Sequence, residues 1–296
     1  MKLGLGTVQF GTDYGISNLN GKTPPGEIKA ILQVAQENGI SVIDTAHSYG
    51  DSEHILGEVL ANQNSFRIIT KTPVYKKKKI GSRDAENMKV SFHNSLKKLR
   101  QSKLAGLLIH NAEDLLTNGG DILFYAMQEL KKDKLVEKIG ASVYSGEQID
   151  CLLERYDFDL IQVPVNVLDQ RLIYNGYLTK LKGQGIEIHA RSVFLQGLLL
   201  MSPASLPSFF NPIKPLLCGY YEFLRSQTLT PIEGAIGFIK QIPEVDCIII
   251  GVNDVEQLKS NLKSFTRLYH DSLFKDFKTF SLDNPKYLNP SLWRLN

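Results

Sequence analysis

The chain has 296 residues, of which 43% are hydrophobic and 22% charged, and its formal net charge is +3. That length supports one large hydrophobic core and lies in the usual range for an α/β barrel. The small, scattered charge excludes a nucleic-acid binder built on a basic surface, and no apolar run approaches the roughly 18 residues that a membrane-spanning helix needs.

In chain order, short apolar runs alternate with longer segments of helical period. The first strand is predicted at 3–8. A helix follows at 27–38, where Ile28, Ile31, Leu32 and Ala35 recur on one face and Asn38-Gly39 forms a stop. Strands are predicted next at 41–45, 67–70 and 105–109. Between the last two, 85–100 reads as a helix with Val90, Leu96 and Leu99 on its apolar side. Lys97, Lys98 and Arg100 complement the dipole of its last turn. The series continues with helix 121–132, strand 137–142, helix 146–155, strand 160–163, helix 175–184, strand 187–190, strand 246–250 and helix 255–265.

Strands that alternate with helices imply parallel βαβ units, and eight such units in about 250 residues suit a closed (β/α)8 TIM barrel of the α/β class. A doubly wound open sheet is the alternative. It is disfavoured because Gly4, Gly6 and Gly11 do not form the G-x-G-x-x-G phosphate turn after the first strand. Residues 1–296 are read as a single barrel domain that starts directly at the first strand, without an N-terminal hairpin. Two segments break the rhythm. One is an inserted loop at 198–229, rich in Pro, Ser and Phe over 201–219. The other is the C-terminal segment 271–296, which carries Tyr287 and Trp293. Both are expected near the substrate site, because long insertions in compact barrels tend to be functional. Phe209, Phe210, Tyr287 and Trp293 are candidates for aromatic surface there, with core packing expected for at least two.

Barrel enzymes work at the C-terminal ends of their strands. The second strand ends at Asp44, and Tyr49 lies in the loop beyond it. The third runs into Lys71 and the fourth into His110. These strands are neighbours, so four ionisable groups converge on one sector of the rim. A carbonyl that accepts hydride at carbon needs a proton on oxygen. Tyrosine, with an ordinary pKa of about 10, is suited to the task if a nearby ammonium lowers that value. Lys71 is expected to do so, Asp44 to hold Lys71 charged and oriented, and His110 to donate to the oxygen as negative charge grows.

The stretch DTAHSYGDSEHILG, from Asp44 to Gly57, resembles the signature of the aldo-keto reductase family, in which an Asp and a Tyr lie five apart. ITK, ending at Lys71, resembles the family's lysine strand, and LLIHN, through His110, its histidine strand. The resemblance spans about residues 3–261. It implies a catalytic tetrad of Asp44, Tyr49, Lys71 and His110, and a nicotinamide cofactor that contacts Gly6, Thr7 and Asp44. It also implies that Ser142 and Gln162 hold the carboxamide, although Val143 stands where an asparagine is common, and it gives Asn166 a motif position. At the end of the seventh strand Arg191 replaces an aromatic that often stacks on the nicotinamide. A guanidinium can also stack on a planar ring. Ser192, Phe194, Leu195 and Gly197 follow where the family covers the pyrophosphate. Gly251, Asn253, Gln257 and Asn261 would grip the adenosine phosphate end, beside a helix N-terminus near Asp254. Gly251 and Gln257 occupy positions that are Lys or Arg in many NADPH-using relatives. The glycine-and-glutamine version also occurs among them, so NADPH is expected and NAD is the alternative.

The implied activity is NADPH-dependent reduction of an aldehyde or ketone to an alcohol, with sugar-type carbonyls among the candidate substrates. The rival readings are a cofactor-binding sensor barrel with little turnover and a non-redox barrel lyase or isomerase. Cys151, Cys218 and Cys247 are odd in number and far apart, which argues against a disulfide framework or zinc site. Each is expected as a small hydrophobe. The N-terminus lacks the apolar core of a secretory signal, so a reduced, cytoplasmic setting is expected, with a small-molecule carbonyl substrate as partner. A monomer or weak homo-oligomer is expected, with no nucleic-acid or membrane partner and no metal. Lys76 to Lys79 are expected in a solvated loop that could border the rim.

Overall fold

A computed structural model describes residues 1–60, 65–270 and 272–295. Eight parallel strands close into a barrel in chain order: β1 (Lys2–Gly6), β2 (Val42–Asp44), β3 (Arg67–Lys71), β4 (Leu104–Ile109), β5 (Val136–Ser142), β6 (Leu160–Pro164), β7 (Glu187–Arg191) and β8 (Cys247–Gly251). β8 pairs back onto β1, with Gly6 opposite Gly251. Parallel neighbours need a crossover rather than a tight turn, and the longer helices supply it. These are α1 (Pro25–Glu37), α2 (Ser52–Val59), α3 (Ser82–Leu99), α4 (Asp121–Lys132), α5 (Gly146–Leu153), α6 (Tyr177–Gly183), α7 (Lys214–Ser226), α8 (Pro231–Lys240) and α9 (Val255–Thr266). The expected (β/α)8 architecture is the one observed. Among the described residues no helix is long and apolar enough to cross a membrane.

The main core lies between the sheet and the helices. From α1 it takes the predicted Ile28, Ile31, Leu32 and Ala35, and Gly39, at φ +74, turns the chain after the helix. From α3 it takes Met88, Phe92, Leu96 and Leu99. Val90 is not on that face. It lies about 200° round the helix from Met88 and is exposed. A second, smaller cluster fills the barrel itself, with Val42, Ile69, Leu108, Leu160 and Ile249 buried together. Side chains alternate along a strand, so the residues two further on, Asp44, Lys71, His110, Gln162 and Gly251, share that inward face one layer higher. The apolar plug thus fixes the height at which the polar mouth begins.

Several boundaries differ from those expected. β1 stops at Gly6: Thr7 still donates to the Asp44 carbonyl from both its N–H and its Oγ1, each at 3.0 Å, but its ψ of 18° turns the chain out of the extended conformation. Val8–Gly11 then forms one helical turn. A Cβ at Gly11 would lie 1.7 Å from the Tyr49 carbonyl oxygen, so only glycine permits this approach to the loop that carries Tyr49. The 201–219 stretch is not irregular throughout. It contains the 3-10 turns Pro203–Ser205 and Ser208–Ile213 and runs into α7, which starts with Pro215 in its first turn and buries Leu217, Tyr220 and Leu224. Phe209 and Phe210 meet Tyr287 and Trp293 there in edge-on contacts at 5.5 and 4.9 Å. These four aromatics pack the C-terminal segment onto the insertion and do not line the cavity described below. Asp271 and Asn296, at the ends of that segment, lie outside the described residues. Cys247 is buried as expected, but Cys151 is exposed and Cys218 half-exposed. Cys151 falls on the solvent side of α5, whose buried residues are Ile149 and Leu152.

Candidate active site

The C-terminal mouth of the barrel opens into a cavity of about 590 Å³. Asp44 lies at its floor and is almost fully buried. Its Oδ2 accepts from Lys71 Nζ at 2.5 Å, and its Oδ1 accepts from Gln162 Nε2 at 2.7 Å. Lys71 also donates to the Thr45 carbonyl at 3.1 Å. Burial draws the Lys71 ammonium toward neutrality, and the Asp44 carboxylate opposes that pull. Asp44 thereby ties the third strand to the sixth across the mouth.

Tyr49 stands over this pair, its ring centroid 5.1 Å from Lys71 Nζ. His110 meets it edge-on, with ring centroids 5.8 Å apart. The expected fall in the Tyr49 pKa does not occur. Burial pushes the phenol well above its ordinary value, the Asp44 charge adds to the rise, and the Arg191 cation only partly offsets it. Lys71, 5.1 Å from the ring centroid, does not offset this rise. His110 is pushed down to about 3, by burial first and then by the Lys71 charge, so the imidazole is neutral across the physiological range. Its Nδ1 lies 3.1 Å from Ser48 Oγ. A hydroxyl donated by Ser48 leaves the ring proton on Nε2.

The cavity is lined by Gly6, Thr7, Ser142, Gln162, Arg191 and Ser192, and by Phe194, Gly197, Gly251, Asn253, Gln257 and Asn261, all read from the sequence as cofactor contacts. Leu195 is the exception. Its side chain is fully buried in the core. The loop after β7 turns through left-handed backbone at Ser192, Leu195, Gln196 and Gly197, which sends the leucine inward and puts Gln196 on the wall instead. Thr7 lines the cavity, but its hydroxyl proton goes to the Asp44 carbonyl. Asn166 accepts from the N–H groups of Leu168 and Asp169 and donates to the Ser192 carbonyl at 3.1 Å. It braces the loop rather than the cavity. Lys76 to Lys79 are exposed and take no part in the lining; Lys77 pairs with Asp84 at 2.6 Å.

Gln9, Tyr14 and Tyr144 also face the cavity and were missed in the sequence. Tyr144 had a legible signal, since it lies two residues beyond Ser142. The guanidinium of Arg191 stacks on its ring at 4.2 Å. Tyr14 and Gln9 come from the loop after β1, which no local pattern directs toward the mouth. The Tyr14 phenol is pushed up to about 12, chiefly by burial and then by the neighbouring Tyr49.

The lining fits a ligand with amide and hydroxyl groups. Gln9 Oε1 and Asn253 Oδ1 are buried without a protein partner, and such atoms carry a desolvation cost unless something binds them. Gln162 spends Nε2 on Asp44, so its Oε1 remains to accept from a carboxamide. At Gly251 a side chain would run into the Gln9 amide, at 2.4 Å from Nε2. At the α9 end, Val255 N–H donates to Glu27 and Gln257 N–H to Asp254. Two of that helix's first donors therefore already face carboxylates.

Comparison with known proteins agrees with this architecture. The chain is 27% identical over 190 residues to an NADH-specific methylglyoxal reductase of Escherichia coli strain K12. That match covers 58% of this chain and 57% of the relative, so it spans just over half of that protein's length. The barrel superposes on the holo form of aldo-keto reductase AKR11C1 from Bacillus halodurans with a TM-score of 0.76 at 19% identity, over 94% of this chain and 91% of that one. PA4992 of Pseudomonas aeruginosa, assigned to the same group, gives a TM-score of 0.66 at 22% identity, over 89% and 88%. At such identities these superpositions speak for the fold alone. The model of the aldo/keto reductase family itself matches residues 2–281, nearly the whole barrel with its polar mouth, and the chain belongs to that family.

Proposed function

We propose that this chain reduces an aldehyde or ketone to an alcohol, with Tyr49 as the proton donor. The observation that carries this reading is the buried chain Lys71–Asp44–Gln162 beneath Tyr49, with neutral His110 at its side. Family members use nicotinamide cofactors, and when bound the nicotinamide supplies the hydride. Ser142 and Gln162 would hold its carboxamide, and the loop from Ser192 to Gly197 would cover its phosphates. Gly6 and Gly251, with no side chains, would let the backbone approach it closely. Asn253, Gln257 and Asn261 would take the adenosine end.

The residues divide the acid–base work as follows. Tyr49 stays protonated throughout the neutral range, so it always has its proton to give. The base that takes it is the alkoxide oxygen formed as the carbonyl is reduced, which is stronger than a phenolate. His110, as the Nε2–H tautomer that a proton donated by Ser48 to Nδ1 would fix, would donate to that oxygen while charge builds. Lys71 and Asp44 form a fixed dipole below the phenol and keep Gln162 oriented.

For the cofactor we infer NADPH, with only a small preference over NADH. The adenosine end offers three amides but no Lys or Arg, and Glu27 and Asp254 already occupy helix donors there. Residues 1–296 form one reductase domain on this reading. Leu200, Pro290 and Ser291 line the cavity, which supports a role for segments 198–229 and 271–296 in the substrate wall. The test is Tyr49→Phe, assayed by NADPH absorbance with one good aldehyde. kcat should fall about 10²–10⁴-fold, the usual range for loss of a general acid, with cofactor affinity preserved. Near-normal kcat in a variant that still binds NADPH overturns the assignment.

A further inference from the structure

We propose that the Arg191 guanidinium biases the bound cofactor by charge, so that the protein holds the reduced nicotinamide more tightly than the oxidised one. This rests on the reading that Ser142 and Gln162 hold the carboxamide.

Arg191 closes β7 on the inward face and lines the mouth. Its Nε donates to Ser142 Oγ at 3.2 Å, the hydroxyl assigned to the carboxamide. Its Nη1 donates to Ser192 Oγ at 3.2 Å and its Nη2 to the Val143 carbonyl at 3.0 Å. The Tyr144 ring supports it from one side. Four contacts from three elements thus hold the cation in one place.

All of these partners are neutral. Among the described residues no carboxylate makes an ion pair with Arg191. The other charged side chains on the cavity wall, Lys71 and Asp44, cancel in their own 2.5 Å pair. The reacting end of the cavity therefore carries one uncompensated positive charge. The adenosine end has no Lys or Arg on its wall, and the cofactor's phosphates carry the same charge in both forms, so their attraction to the cation drops out of the difference between them.

The nicotinamide ring bears a positive charge when oxidised and none when reduced. A fixed cation beside it opposes the first form and is indifferent to the second. Unit charges within about 10 Å, at an effective dielectric constant of about 20, shift such an equilibrium by about tenfold. A tenfold bias is about 1.4 kcal/mol, or about 30 mV for a two-electron couple. Its effect is to favour reduction of the carbonyl and departure of the spent cofactor.

The experiment is calorimetric titration of NADPH and NADP into wild type, Arg191→Met and Arg191→Lys. The measured quantity is the ratio of the oxidised to the reduced dissociation constant. It should fall about tenfold in Arg191→Met and stay near the wild-type value in Arg191→Lys, which keeps the charge. An unchanged ratio in Arg191→Met overturns the inference while leaving the proposed function standing. An equal fall in both variants also overturns it, because planar stacking and not charge would then be at work. Failure of wild type to bind either form removes the proposed function and this inference together. Removing Arg191 orphans no carboxylate, so the variants are expected to fold.

Discussion

Asp44→Asn is the sharpest test of the mouth, because one carboxylate serves two donors. In the native protein Oδ2 receives the Lys71 ammonium and Oδ1 the Gln162 amide. Asparagine keeps the shape but has only one acceptor, so either way round its NH2 faces a donor. If the NH2 faces Gln162, that amide must flip, and its NH2 rather than Oε1 meets the carboxamide. If it faces Lys71, a buried ammonium loses its partner. Breaking one side of a buried pair costs about 3–5 kcal/mol. The shape-conserving change and the ability of Lys71 to shed its proton place the loss at about 3 kcal/mol. At about 2–4 °C per kcal/mol for a chain of this size, the melting temperature should fall by roughly 6–12 °C near neutrality.

The loss should also depend on pH in a defined direction. Without the carboxylate, burial lowers the Lys71 pKa further below its unfolded value of about 10.5. The unfolded chain then binds more protons in the window between those two values, and stability rises with pH across it. The deficit of Asp44→Asn should therefore shrink as pH climbs toward about 10. Differential scanning calorimetry of both proteins across that range reads it directly. A variant that melts with the wild type at neutral pH, or whose deficit grows with pH, refutes the role given to the pair.

Other outcomes follow from the same geometry. With His110 near 3 and Tyr49 raised above its ordinary value, kcat/KM should be flat from about pH 5 to about pH 9; a bell centred near neutrality would mean that another group titrates in the step. NADPH should bind no more than about tenfold tighter than NADH, a margin of about 1.4 kcal/mol; a hundredfold preference for either, by titration, would contradict the reading of the α9 end. Gly11→Ala would push a methyl into the Tyr49 carbonyl. It should lower both stability and kcat, the former by about 1–3 kcal/mol as in other overpacked sites, and wild-type values in both would show that the loop yields freely.

The barrel was legible because its signal is repeated. Each buried parallel strand is a short apolar run, and eight of them alternating with helical segments leave few other topologies. What failed was local. Thr7 and Val8 look like strand, yet the backbone turns at Thr7 into the helical turn Val8–Gly11. α8 was overlooked although Thr230 and Glu233 form a capping box, with Glu233 N–H on Thr230 Oγ1 and Thr230 N–H on Glu233 Oε2. The surrounding prolines and serines masked it. Strand-end residues on the inward face could be placed from parity alone. Residues brought in by loops could not: Tyr14 and Gln9 reach the mouth only because the 8–24 connection folds back over it. Leu195 was misplaced because three left-handed residues beside it reverse the side-chain order that a simple loop would have.

The Tyr49 pKa shows where sequence logic reached its limit. Proximity of a lysine to a tyrosine suggests a stabilised phenolate, and the neighbouring strands do bring them within 5.1 Å of ring to ammonium. But Asp44 lies at 2.5 Å from that ammonium, and its charge raises the Tyr49 pKa in the same direction as burial. Burial of the phenol then decides the sign, and it favours the neutral form. An acid that is never ionised at rest avoids an anion where a carbonyl oxygen must enter. In the proposed reaction it would transfer its proton only when the alkoxide supplies a stronger base than its own conjugate. On the proposed function Asp44 thus does more than orient Lys71: its charge, with burial, would keep the proton on Tyr49 until the substrate takes it.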